Sequence, residues 1–108
     1  MTDAVFAYVT ASSLEEATKI ADALVDEQLV ACANILPGMQ SVYRWNGEVQ
    51  HDNEVVVILK TRAALVDAVV ERVRALHSYE CPCVVTLPLT GGNPAFLAWI
   101  QQETREPR

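Results

Sequence analysis

The chain has 108 residues, 51% of them hydrophobic and 20% charged, with a net charge of −6 and a pI near 4.7. That length supports a single domain spanning 1–108 with a modest core. The acidic balance excludes the basic footprint that broad nucleic-acid binding needs, and it disfavours anionic membranes. No window is apolar enough for a membrane helix. The start, Met1-Thr2-Asp3-Ala4, lacks a basic region ahead of an apolar stretch. Three cysteines in no disulfide framework point to a reducing compartment. The expectation is a cytoplasmic protein with no nucleic-acid and no membrane partner.

The first apolar segment, Val5-Phe6-Ala7-Tyr8-Val9, reads as a strand. Ser12 and Ser13 follow, each with a glutamate three residues on (Glu15, Glu16). Either pair can form a capping box and start a helix. Leu14, Ala17, Ile20, Ala21, Leu24 and Val25 recur at helical spacing and are its expected buried face. The helix is expected to end near Gln28 or Leu29.

Ala31 to Trp45 reads as extended, interrupted at Pro37-Gly38. Asn46-Gly47 is a strong two-residue hairpin signal, because both turn positions need φ > 0. The return strand runs from about Val49 to Thr61. Within it, Val55-Val56-Val57-Ile58-Leu59 lies between Glu54 and Lys60 without a polar break, the pattern of a strand buried on both faces. Pro37 cannot donate a ladder hydrogen bond, so its strand is expected at an edge or with a bulge.

A second helix is expected from about Ala63 to Leu76, with Leu65, Val69, Val73 and Leu76 along one side. Asp67, Glu71, Arg72 and Arg74 are left to water. Pro82 ends the following turn, and Cys83 to Leu89 reads as a fourth strand. After Thr90-Gly91-Gly92, Asn93 caps a third helix with Pro94 at its first position.

The order βαββαβα gives an α+β fold: a ferredoxin-like βαββαβ sandwich with a long hairpin and an extra C-terminal helix. Its sheet order is 4-1-3-2, with helices on one face. That order makes the apolar return strand central and the Pro37 strand an edge. The open face and the hairpin edge then need a cover, and a second copy of the chain supplies one.

Four runs carry a resemblance: Ala31-Cys32-Ala33-Asn34-Ile35-Leu36-Pro37-Gly38, Ser41-Val42-Tyr43-Arg44-Trp45-Asn46-Gly47, Glu54 with Lys60-Thr61, and His77-Ser78-Tyr79-Glu80-Cys81-Pro82. With Trp99-Ile100 they extend over nearly the whole chain, which resembles the CutA divalent-cation tolerance family. The resemblance implies a tight, non-enzymatic homotrimer of ferredoxin-like subunits, similar in architecture to the trimeric PII signalling proteins. It also implies a response to metal ions, with copper or another divalent cation as partner and no cofactor required. The chain departs from the family run His-Pro-Tyr-Glu-Val-Pro-Glu: Ser78 replaces the first Pro, Cys81 the Val and Cys83 the last Glu. At the copper-ligand positions proposed for the family, Val9 stands where a cysteine is expected and Leu76 where one of two histidines is. Only His77 remains, so that copper site does not carry over intact.

His77, Cys81 and Cys83 form the most metal-like group, because imidazole and thiolate suit Cu(I) and Zn²⁺. In an extended segment the two cysteines point the same way, with Cα atoms about 6.5–7 Å apart. The alternative is that both thiols behave as small hydrophobes and His77 caps a helix end. Cys32 reads as core and His51 as a surface residue. Tyr43, Trp45 and Trp99 line an intersubunit cleft or pack an interface. Glu54 and Lys60 lie on one face about 20 Å apart. Lys60 either receives an anionic ligand at a cleft or joins an intersubunit salt bridge. The Gly91-Gly92 loop can hold an anion at a helix N-terminus, but it lacks a Walker lysine. A PII-like trimeric sensor that binds a small anionic metabolite between subunits is the alternative to the metal-ion reading.

Overall fold

The computed structural model describes residues 2–107. Its elements are β1 (Ala4–Ala11), α1 (Leu14–Asp26), β2 (Cys32–Trp45), β3 (Glu48–Arg62), a 3-10 turn (Ala63–Leu65), α2 (Val66–Leu76), β4 (Val84–Pro88) and α3 (Pro94–Glu103). The strands form one antiparallel sheet in the order β2-β3-β1-β4, the expected order. The apolar strand β3 is central, and β2 and β4 are the edges.

Local chemistry sets the element ends. Ser13 is the N-cap of α1, accepting the Glu16 N–H at 3.1 Å. The Glu16 carboxylate reaches back to the Ser12 N–H and hydroxyl, both at 2.9 Å. The two serines therefore share the cap, and Glu15 takes no part in it. The helix stops at Asp26, two residues before Gln28, the earlier of the two expected ends. Leu29 N–H donates to the Leu24 carbonyl and Gln28 N–H to the Val25 carbonyl, a Schellman closure with Gln28 at φ 58°. At the hairpin, Asn46 and Gly47 hold φ of 51° and 78°, as a type I′ turn demands. Pro37 and Gly38 form a bulge: Leu36 pairs with Val56 and Met39 with Glu54, so two residues of β2 oppose Val55 alone.

One face of the sheet packs on α1 and α2. Ala7, Val9 and Ala11 of β1 and Val55, Val57 and Leu59 of β3 meet Ile20 and Leu24 of α1, Leu65 of the 3-10 turn and Val69 and Val73 of α2. Leu14 and Val25 were expected in this face but stay 53% and 41% exposed. The covered stripe of α1 is narrower than its apolar stripe. Arg72, expected in water, forms a bidentate pair with Glu27 between α2 and the end of α1. The strand expected from Cys83 starts at Val84.

The opposite face is largely open. Tyr8, Leu36, Val85 and Leu87 are exposed there, while Val56 is buried by its neighbours and Ile58 is half-buried. Within one subunit β3 is thus fully buried on the helix side only, and its second face is the one expected to be covered by another copy of the chain. The third helix lies on this second face, at one end: its Ile100 is fully buried against Ala4 and Ala31. Arg62, buried beneath it, donates through Nε to Thr104 Oγ1 at 2.9 Å. The hairpin projects beyond the helices. The extents are 44 × 25 × 22 Å with a radius of gyration of 14.4 Å, against about 13 Å for a compact chain of this length.

Candidate functional site

A cavity of about 410 Å³ opens on the second face, between the hairpin and the turn after α2. The hairpin contributes Tyr43, Trp45 and Glu54, and β1 contributes Thr10. The far wall is Tyr79, Glu80, Cys81 and Cys83. Tyr43 and Trp45 reach this face because of the bulge at Pro37-Gly38. Past it, the odd-numbered residues of β2 share a side with Glu54.

His77 anchors the far wall. Its side chain is fully buried. Nε2 lies 2.7 Å from the Thr10 carbonyl, and Nδ1 accepts the Tyr79 N–H at 3.0 Å. A carbonyl can only accept and an amide N–H can only donate, so the ring is the neutral tautomer protonated at Nε2. Its one lone pair is used inside the turn. Ser78 N–H donates to Glu16 Oε2 at 2.8 Å, so one carboxylate holds both the start of α1 and the turn. Burial pushes the Glu16 carboxyl up. The Ser12 N–H, the hydrogen bonds from Ser78 and the Ser12 hydroxyl outweigh it and bring the pKa down to about 2.

The cleft itself is electronegative. The Tyr79 phenol donates to Glu54 at 3.0 Å. Burial first, then that hydrogen bond and the charges of Glu54, Glu16 and Asp52, push its pKa up to about 12. The Tyr43 phenol donates to Asp52. That bond first, then burial and the charges of Asp52 and Glu54, pushes it up as well. Burial and Glu54 raise the Cys83 thiol. Among the described residues that line the cavity there is no Lys or Arg.

The sequence-derived site residues therefore separate into three groups. Tyr43, Trp45 and Glu54 come together as a cleft, joined by Cys81 and Cys83. Lys60 and Trp99 do not line it. Lys60 Nζ donates to Asn34 Oδ1 at 2.7 Å and sits 5.7 and 5.6 Å from the ring centres of Phe6 and Phe96. Trp99 stacks on Phe96 at 5.4 Å. Both belong to the α3 end of the sheet. His77 does not join Cys81 and Cys83 as a donor set. Among the described residues no three His, Cys, Asp or Glu side chains come close enough to hold a metal ion. Val9, at the position where the family's cysteine is proposed, is fully buried in the core.

Sequence reasoning passed over Thr10, Tyr79, Glu80 and Asp52. The last was readable from the hairpin. A two-residue turn at Asn46-Gly47 pairs Tyr43 with Gln50 and Ser41 with Asp52, which makes Asp52 the diagonal neighbour of Tyr43.

The chain matches the family described as CutA1 divalent ion tolerance protein over residues 5–103. It is 46% identical over 99 residues to the chloroplastic protein CutA 1 of Oryza sativa subsp. japonica, covering 92% of this chain and 56% of that one. It is 46% identical over 96 residues to the divalent-cation tolerance protein CutA of Thermus thermophilus, covering 89% and 93%. The chain thus spans little more than half the length of the rice relative and nearly all of the Thermus one. Among solved structures, CutA1 from Oryza sativa superposes with a TM-score of 0.94 at 45% identity over 95% of this chain and 94% of that one. CutA from Xylella fastidiosa gives 0.94 at 36% identity over 96% and 100%. The rice relative is called chloroplastic and the CutA structure from Archaeoglobus fulgidus periplasmic. Among the described residues no helix is long and apolar enough to cross a membrane.

Proposed function

This chain belongs to the CutA1 divalent ion tolerance family, and we propose that it serves divalent-cation tolerance as a non-enzymatic homotrimer whose clefts hold cations weakly. The observation that carries the cation reading is the cleft's charge. Glu54 and Glu80 line it, and the Glu54 charge reaches Tyr43, Tyr79 and Cys83. An anionic metabolite would meet these carboxylates without the counter-charge of Lys60.

Copper or zinc is then a visiting ion, drawn by carboxylates and by the Cys81 and Cys83 thiols, and no cofactor is required. The non-enzymatic reading rests on His77. With both ring nitrogens engaged, it is not free to activate either thiol, and the raised Cys83 thiol is a poor nucleophile. The three free cysteines suit a reducing cytoplasm.

The trimer reading rests on the second face. Tyr8, Leu36, Val85 and Leu87 lie together on it beside the cleft, and burying such side chains contributes about 1.5–3 kcal/mol each. Copies of a ferredoxin-like subunit that cover this face also wall the cleft.

Native mass spectrometry and calorimetric titration with Cu²⁺ and Zn²⁺ test the proposal together. The expected result is a trimer that takes up ions at micromolar or weaker affinity, reduced in a Glu54→Gln/Glu80→Gln double variant. A monomer, or tight binding indifferent to both substitutions, overturns it.

A further inference from the structure

The cleft carries a mismatch between its charge and its donors. Its charge calls for a cation, yet no three metal-ligating side chains converge there among the described residues. Glu54 is already bonded to the Tyr79 phenol. A divalent ion wants about four nitrogen or sulfur ligands, or about six oxygens.

An organic ammonium ion has other needs. Its charge is spread over a shell of C–H or N–H groups. Aromatic faces and nearby carboxylates satisfy it without a coordination sphere. The cleft brings those two elements together: the rings of Tyr43, Trp45 and Tyr79, and the carboxylates of Glu54 and Glu80, border one cavity of about 410 Å³. A cavity of a few hundred Å³ suits a small organic molecule. Both phenols donate to carboxylates, Tyr43 to Asp52 and Tyr79 to Glu54, which fixes their orientation. Their raised pKa values keep them neutral at physiological pH, so neither ring loses its donor.

We propose that the cleft binds a small alkylammonium ion, with Trp45, Tyr43 and Tyr79 supplying ring surface and Glu54 and Glu80 the counter-charge. This rests on the acidic cleft of the proposed function and names a ligand class beyond the metal ion.

The test uses choline as the probe and dimethylbutanol, its uncharged carbon analogue, as the control. The intact protein has two tryptophans, and Trp99→Phe leaves Trp45 as the reporter. The expected result is a saturable change in Trp45 fluorescence with choline and none with dimethylbutanol at equal ionic strength. Glu54→Gln should weaken choline binding by at least about fivefold, and Trp45→Leu, followed by calorimetry, by about tenfold. Glu80 is exposed, so Glu80→Gln reports the same counter-charge if Glu54→Gln disturbs folding. Equal affinity for both compounds, or no saturable change with choline, overturns the inference. A parallel Zn²⁺ titration separates the two readings. Zn²⁺ binding without choline binding rejects the ammonium site and leaves the cation-tolerance reading standing. Choline binding without Zn²⁺ binding supports the ammonium site and rejects the metal part of that reading.

Discussion

Tyr79 and Glu54 stand 25 residues apart in the chain, and the phenol of the first donates to the carboxylate of the second at 3.0 Å. This bond ties the turn after α2 to the middle of β3 and closes one side of the cleft. The phenol is held at about 12 in the folded protein, against an ordinary value of 10.0. A group whose folded pKa is raised contributes stability that is complete below the unfolded value and is lost as pH rises through the folded one. The chain should therefore lose stability between about pH 10 and pH 12, and Tyr79→Phe should flatten that slope. Urea denaturation across the alkaline range, read by circular dichroism, checks this. An unchanged slope in the variant would place the alkaline loss on other groups.

Glu16 predicts the opposite pH dependence. Its carboxyl lies at about 2 instead of 4.5, and a depressed folded pKa contributes stability that is present above the unfolded value and lost as pH falls through the folded one. Stability should decline between about pH 4.5 and pH 2. Glu16→Gln keeps one carbonyl acceptor and loses the charge-assisted bonds. It should cost about 2 kcal/mol at neutral pH and remove much of the acid slope. Denaturant midpoints of both proteins at neutral and acidic pH decide the matter: a gap that stays constant with pH would mean that the ionised form carries none of the effect.

Gln28 predicts a gain. It closes α1 at φ 58°, a conformation that costs a residue with a Cβ about 1–2 kcal/mol. Glycine removes that cost and adds some unfolded-state entropy. Gln28→Gly should stabilise by about 0.5–1 kcal/mol. A lowered thermal midpoint would show that the exposed glutamine side chain makes a contribution larger than the backbone strain.

Local features were legible in the sequence because their causes are local. Ser13 caps α1, Asn93 caps α3 and Asn46-Gly47 turns the hairpin, each through bonds or dihedrals within a few residues. The place of Pro37 on a bulged edge strand followed from its missing N–H. What stayed hidden depends on distance in the chain. His77 finds its acceptor in Thr10, 67 residues away, and Glu16 finds Ser78, 62 residues away. No spacing rule brings those pairs together. Periodicity gave the apolar stripe of α1 but not how much of it α2 and the sheet would cover, so Leu14 and Val25 were misplaced. Lys60 and Trp99 were expected at a cleft between subunits; within one subunit their neighbours are Phe6 and Phe96, which depend on α3 crossing to the second face.

The Pro37-Gly38 bulge uncouples the outer arm of β2 from the alternation of its inner half. Side chains along a strand alternate sides, so an unbulged strand would carry the side of Leu36 on to Val42 and Arg44, and setting two residues against Val55 puts Tyr43 and Trp45 there instead. Met39, Tyr43 and Trp45 now share a side with Tyr8 and Glu54, and the Tyr8 hydroxyl meets the Met39 sulfur at 3.4 Å. Deleting Gly38 would leave Pro37 alone opposite Val55 and Met39 still opposite Glu54, so both aromatics would keep their side and only the local bend and added twist would be lost. Relatives one residue shorter at this point should therefore keep the aromatic wall on a straighter arm.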